Sequence, residues 1–300
     1  MSKKQKTPKQ PKPYKKKMIR RRKPNRSIWG DIFLYLFLAL AAVLMAFPLV
    51  FAVENALKPL DELYRFPPRF FAQNPTLDNF ADLFVSMGKS WVTFPRYVFN
   101  TVFVTAVGTA GHLIVASMGA FVLAKYDFPG GRTFFKIVTT AMLFNGTVTA
   151  IPNYIIINKL HLIDTYWAII IPAIGGTMGF FLMKQFMEGL PTALIEAAKI
   201  DGANEWRVFT KIVMPNVKPA WLTLIIFSVQ ALWNNGGTTY IYSEEKKSLV
   251  FALGQVTGGN IARTGQQAAV GVVLMIVPIV TFILSQSQIL ETMASSGLKD

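Results

Sequence analysis

Three short runs in this 300-residue sequence have residue types and spacing that could do chemistry. Gly88-Lys89-Ser90 has the ending of a phosphate-cradling loop, in which backbone N–H groups and a lysine hold a nucleotide. The first glycine of such a loop would fall at position 83, which is Leu83, so this chain binds no nucleotide by that route. Asn145-Gly146-Thr147 has the spacing of a glycosylation acceptor, but it sits in an apolar stretch that reads as a membrane span, where the modification could not occur. With no cysteine there is no thiol nucleophile, disulfide framework or Cys-based zinc site. No metal-ligand spacing, nucleophile elbow or carboxylate pair emerges either. The third run, EGLPTALIEAAKIDGANEWRVFTKIVMPNVKPA (188–220), offers contact and not bond-making. It reads as two short helices around a turn. Pro191 suits a first turn, and Ala193, Leu194, Ala197 and Ala198 share a face. Gly202 supplies a left-handed stop. Asn204 then caps a second helix running through Trp206 and Phe209 to Met214, which Pro215 stops.

The elements that must position this run are set by hydropathy. Hydrophobic residues make up 52% of the chain and mean hydropathy is +0.38, beyond ordinary soluble domains. The net charge of +15 is concentrated: residues 1–30 hold thirteen Lys or Arg and no acid. That stretch, with Pro8, Pro11, Pro13 and Pro24, reads as a disordered basic cytoplasmic tail facing lipid headgroups, not nucleic acid. Since about 20 apolar residues cross a bilayer as a helix, six spans are expected near 31–53, 97–122, 134–157, 163–186, 219–235 and 268–290. With the basic tail inside, the 123–133 turn, the 187–218 loop and both termini are cytoplasmic. The spans hold almost no ionisable group. His112 is the one well inside, and it reads as a hydrogen-bonded packing residue. Ion-coupled carriers and voltage sensors need charge at membrane depth, so the energy source lies outside the chain. Uncharged polar residues, among them Asn100, Asn145, Asn153, Gln230 and Asn234, either line a path for a neutral, hydroxyl-rich solute or bond neighbouring helices. In the outer segment 77–87, Leu77, Phe80, Leu83, Phe84 and Met87 fall on one helical face. That face lies on the membrane, packs on the bundle, or docks an external protein.

The 188–220 run is where resemblance becomes specific. Glu196-Ala197-Ala198, Gly202, Ile212 and Pro215 stand in the register of the EAA signature of permease subunits of binding-protein-dependent ABC importers. Only Met214 departs, where that family has Leu. The flanks AKYDFPGGR, LHLIDTYWAIIIP, NPTLDNFADLF and SSGLKD resemble the maltose-type (MalG-like) carbohydrate permeases, so the likeness covers roughly 50–300.

This resemblance implies an all-α membrane protein of six transmembrane helices, a type I ABC importer permease fold with a cytoplasmic coupling helix, over residues 31–300. It implies a multi-pass protein of the bacterial cell membrane, a transport subunit and not an enzyme. The expected partners are a second, homologous permease in a heterodimer, two ATP-binding subunits that supply ATP and Mg, and an extracytoplasmic solute-binding protein carrying a carbohydrate, in particular an oligosaccharide. Carried onto this sequence, the ATPase-coupling residues are Glu196, Ala197, Ala198, Asp201, Gly202, Ile212 and Pro215. Small Ala197 and Ala198 allow close approach to a groove on the ATPase, Glu196 pairs with a basic or amide group, and closure of the ATPases around ATP swings the bundles. Readings that stay open are an importer for another solute such as an amino acid or peptide, a secondary carrier, and a membrane-anchored regulator using the basic tail.

Overall fold

A computed structural model of the chain describes residues 27–88, 92–144, 146–257 and 263–296. The basic tail up to residue 26, Lys89, Ser90, Asn145 and the last four residues therefore lie outside the described residues. Every regular element among the described residues is helical. The described residues divide into two units between Leu49 and Val50. The first contributes most of the helix Ile28–Leu57 (α1), whose apolar residues before Val50 are almost all exposed.

The second unit continues with Leu60–Leu63 (α2), Asp78–Gly88 (α3), Phe94–Lys125 (α4), Gly131–Ala141 (α5), Gly146–Lys159 (α6) and Trp167–Ile174 (α7). Thr177–Glu188 (α8), Thr192–Ile200 (α9), Glu205–Val208 (α10), a π-helical turn at Phe209–Val213, and Met214–Asn216 (α11) follow. Lys218–Trp233 (α12), Leu249–Thr257 (α13) and Thr264–Ser296 (α14) complete it. Among the described residues, four helices, or helix pairs in line, are long and apolar enough to cross a membrane: Trp29–Leu57, Phe94–Lys125, Trp167–Glu188 and Thr264–Gln286. Two further pairs bring the number to six if each counts as one span.

These two pairs are bent, which hydropathy alone does not reveal. Between α5 and α6 the axis turns by 112°. The last turn of α5 tightens, with Leu143 N–H donating to Thr140 O at 3.0 Å and Phe144 N–H to Ala141 O at 3.2 Å, the i to i−3 pattern of a fraying end. Between Glu205–Asn216 and α12 the turn is 80°. It falls at Val217, beside Pro215 and Pro219. A proline removes a backbone donor and its ring crowds the carbonyl four residues back, so the chain changes direction where two of them flank one residue.

The 32-residue α4 is the centre of the second unit. It lies against α7, α8 and α12. Its middle is held by small residues: a Cβ on Gly108 would meet Leu232 at 2.6 Å, and one on Gly111 would meet Ile174 at 2.7 Å. His112 occupies the gap where α7 gives way to α8. Its Nε2 faces Gly176 O at 3.0 Å and its Nδ1 faces Ser228 Oγ at 2.8 Å. A carbonyl can only accept, so Nε2 carries a proton and donates it to Gly176 O. The histidine thus clasps three helices, in keeping with a packing residue.

Three apolar clusters follow the length of α4. One joins Ala116, Ala120 and Phe121 to Met183, Met187, Ala220 and Leu224. The middle one pairs Val104 with Ile169, Ile170, Leu232 and Ile241. At the start of α4, Tyr97 packs with Leu83, Met87, Trp233, Leu253 and Ala269. Leu83 and Met87 of α3 therefore point into the bundle, whereas Leu77 and Phe84 on the expected common face stay exposed.

Candidate functional site: a helix, turn and helix at one end of the bundle

The run singled out in the sequence forms α9, a tight turn and α10, continued by the π-helical turn and α11. Pro191 is the residue before the first turn of α9, with extended backbone, and its carbonyl accepts from Leu194 N–H at 3.3 Å. At the other end, Gly202 has φ +79°. Its N–H donates to Lys199 O at 3.0 Å, and Ala203 N–H reaches back to Ala198 O at 2.9 Å. These are the two bonds of a Schellman stop, which needs a left-handed residue at the glycine position. Asn204 restarts the chain, its side-chain oxygen accepting from Arg207 N–H at 2.8 Å, as expected of an N-cap.

The second helix differs from the expectation that Pro215 ends it. After one turn it widens into a π-helical turn at Phe209–Val213, and Pro215 lies within the short α11, with the break two residues later at Val217. Proline suits a first helical turn, where its missing N–H is not needed. Thr210 Oγ1 donates to Trp206 O at 2.7 Å and Asn216 Nδ2 to Ile212 O at 2.7 Å, supplying partners to one carbonyl just before the widened stretch and one within it.

The two faces of this unit are unlike. Ile195, Ala198, Val208, Phe209 and Val213 are buried in the cluster formed by the ends of α4, α8 and α12, with Ile212 partly buried beside them. Each large apolar side chain so buried is worth about 1.5–3 kcal/mol, which fixes the unit to three helices at once. Glu196, Ala197, Asp201, Gly202 and Pro215 are exposed, and so are Leu194 and Ile200, the last at 86%. Of the four residues expected on one face, Ala193, Leu194 and Ala197 look outward, but Ala198 turns inward with Ile195. The 3.6-residue repeat places 195 and 198 together, and the larger Ile195 decides which side is core. The outward surface is a ridge of small and apolar residues with two carboxylates.

The turn after α4 meets this unit. Lys125 Nζ donates to Leu190 O at 2.5 Å, just ahead of α9. Tyr126 donates its hydroxyl to Glu205, and Lys199 pairs with the same carboxylate at 2.7 Å while lying over the tyrosine ring, 5.1 Å from its centroid. Hydrogen bonds from Lys199 and Tyr126 hold the Glu205 carboxyl below its ordinary range, and those to Glu205 and Tyr126 raise Lys199. Burial, followed by the bond to Glu205, raises the Tyr126 hydroxyl. The signs agree. The glutamate's contribution is present above its ordinary pKa and lost as pH falls through the lowered value, and the lysine's is present below its ordinary pKa and lost as pH rises through the raised one. Around neutrality all three groups are in the bonded form. Sequence reasoning missed this contact, because nothing local links Tyr126 to residues some seventy positions away.

The polar residues considered for a solute path are dispersed. Asn100 is 1% exposed, and its amide is fully used: Nδ2 donates to Glu245 O at 2.8 Å and Lys247 O at 2.9 Å, and Oδ1 accepts from Tyr166 at 2.7 Å. It fastens the 236–248 segment to the start of α4, with both ends of its amide engaged inside the bundle. Asp164, with φ 60°, fastens the same segment to the turn before α7. Burial would raise its carboxyl, but bonds from Ser243, Lys246 and the Tyr242 backbone outweigh this and leave it far below the usual carboxylate range. Asn153, Gln230 and Asn234 are exposed, and Asn234 Nδ2 bonds Gln230 O at 2.9 Å. A cavity of about 420 Å³ lies between α7, α8 and α12 with His112, Ser228, Asn235 and Tyr240 in its wall. Neither Asn100 nor Asn153, Gln230 or Asn234 lines it.

Comparison with known proteins accords with this layout. Residues 20–292 match the family described as binding-protein-dependent transport system inner membrane component. The arabinooligosaccharides transport system permease protein AraQ of Halalkalibacterium halodurans is 30% identical over 87% of this chain and 94% of its own length. Protein LplC of Bacillus subtilis is 33% identical over 76% of this chain and 75% of its own. Among solved structures, a chain of a bacterial ABC transporter involved in the import of the acidic polysaccharide alginate superposes with a TM-score of 0.72 at 22% identity, covering 88% of this chain and 99% of that one. Its likeness establishes the fold, that of a type I ABC importer permease. With a helical bundle, a match over nearly the whole length and relatives of this kind, the chain belongs to the inner membrane components of binding-protein-dependent transport systems, and is a permease subunit, not an enzyme.

Proposed function

We propose that the cargo is a carbohydrate, in particular an oligosaccharide, and that α9 with its turn is the coupling helix onto which an ATP-binding subunit docks. The observation that carries the docking reading is the contrast between the two faces of α9. Ile195 and Ala198 tie it to three helices, while Glu196, Ala197 and Asp201 stand free around the Gly202 turn. A push on the outer ridge is thereby delivered to α4, α8 and α12 together. Ile212 and Pro215 act behind it, setting the direction in which the chain leaves toward α12.

The supporting arrangement is a heterodimer of this chain with a similar permease, two ATP-binding subunits that hold ATP and Mg, and an extracytoplasmic binding protein that delivers the solute. Both termini are then cytoplasmic, on the side of α9. The carbohydrate reading is supported by relatives named for arabinooligosaccharides, for polygalacturonan or rhamnogalacturonan, and for galactooligosaccharides. Of the amides considered for a solute path, Asn153, Gln230 and Asn234 are exposed.

Reconstitution into liposomes tests this. The full transporter with its binding protein should accumulate labelled oligosaccharides only when ATP is inside with the ATP-binding subunits, and this chain alone should hydrolyse no ATP. Counterflow of solute by this chain without ATP would contradict the reading.

A further inference from the structure

The end of α4 touches the coupling unit at two separate points. Lys125 reaches the Leu190 carbonyl before α9 begins, and the next residue, Tyr126, reaches Lys199 in the last turn of α9 and Glu205 where α10 begins. Phe121, one turn earlier, adds ring contacts to both Tyr126 and Phe209, with centroids at 5.6 Å and 5.5 Å. Any rotation of α9 relative to α4 must break contacts at one end of it or the other.

We propose that Lys125 and Tyr126 form a two-point clamp, making them, with Glu205 and Lys199, positioning residues that keep the docking helix in register with α4, the central helix of the bundle. The idea rests on the docking reading of α9 but concerns different atoms, since none of the clamp contacts involves Glu196, Ala197 or Gly202. Lysine at 199 and glutamate at 205 lie on either side of the Schellman turn, so their pairing also holds the turn closed. Tyrosine differs from phenylalanine here by one hydroxyl, the group that joins the turn after α4 to the pair.

The chain has no cysteine of its own, so two can be added for spin labels. Exposed Thr192 at the start of α9, which is not among the ridge residues, and exposed Arg132 at the start of α5 are suitable positions. In the purified full transporter, the distance distribution between them should have one main peak. Tyr126→Phe and Glu205→Lys should each raise the fraction outside that peak by about fivefold, the upper range for an exposed ion-pair network. The swap Lys199→Glu with Glu205→Lys recreates the pair in reverse and leaves a carboxylate for the Tyr126 hydroxyl, and it should restore the main peak. No change in Tyr126→Phe and Glu205→Lys, or a swap as broad as Glu205→Lys alone, would overturn the clamp. Co-purification of the ATP-binding subunits separates this from docking. Glu196→Lys should lose them with the distance peak unchanged, and retention of the subunits by Glu196→Lys would count against docking while leaving the clamp to its own readout.

Discussion

Replacing Gly202 by proline should abolish ATP-driven uptake and co-purification of the ATP-binding subunits, while the chain still inserts into membranes. Proline fixes φ near −65°, against the +79° observed, and removes the N–H that donates to Lys199 O at 3.0 Å. Both bonds of the stop are lost, and α9 no longer hands over to α10 at the observed angle. Alanine separates shape from backbone freedom. A Cβ at this position meets nothing within 4 Å, so Gly202→Ala carries only the left-handed penalty, about 1–2 kcal/mol. Asparagine tolerates that conformation better and should fall between glycine and alanine. The expected order of coupling activity is Gly, Asn, Ala, Pro, measured as subunits retained per permease. Equal retention in alanine and proline variants would mean that the turn does not govern the site.

The second large effect is expected at Gly179→Val. A Cβ there would lie 2.5 Å from His112 Nε2 and 2.8 Å from Leu224 Cδ1. The leucine could shift, but the imidazole is held on both sides by Ser228 and the Gly176 carbonyl. Overpacking in a close-packed core costs about 1–3 kcal/mol, and here the clasp joining α4, α8 and α12 is displaced as well. The detergent-solubilised protein should show a clearly lowered unfolding temperature, with a smaller folded fraction. Gly271→Val on α14 is the control, since a Cβ there meets nothing within 4 Å. Equal unfolding temperatures for the two variants would contradict the close packing at His112.

Much of the docking unit is legible in the amino-acid sequence, because its signals are local. Gly202 and Asn204 mark a stop and a start through backbone geometry that few other residues satisfy, and both behave as their types require. Hydropathy locates the apolar stretches for the same reason, since a window of residues carries its own burial preference. What escapes is relational. Ala198 groups with Ala197 by chemistry, but its side is set by Ile195 and the core beyond it. The bend in residues 131–159 and the sharp turn at Val217 are invisible to a hydropathy window. Asn100 has the features of a path residue because it is an amide in an apolar helix. Its partners, Glu245, Lys247 and Tyr166, come from distant segments that only the fold brings together. Tyr126 is hidden likewise, inside a flank whose only local signal is a likeness to other permeases.

The central claim is that the outer ridge of α9 is the surface on which an ATP-binding subunit sits, and cross-linking from a single cysteine tests it most directly. In membranes containing the complete transporter, a photoactivatable label on Ala197→Cys, exposed on α9, should capture the ATP-binding subunit, identified by mass spectrometry from its own nucleotide-binding sequence. The same label on Phe66→Cys, 93% exposed in the segment between α2 and α3, should not. Capture from Phe66→Cys and none from Ala197→Cys would contradict the account.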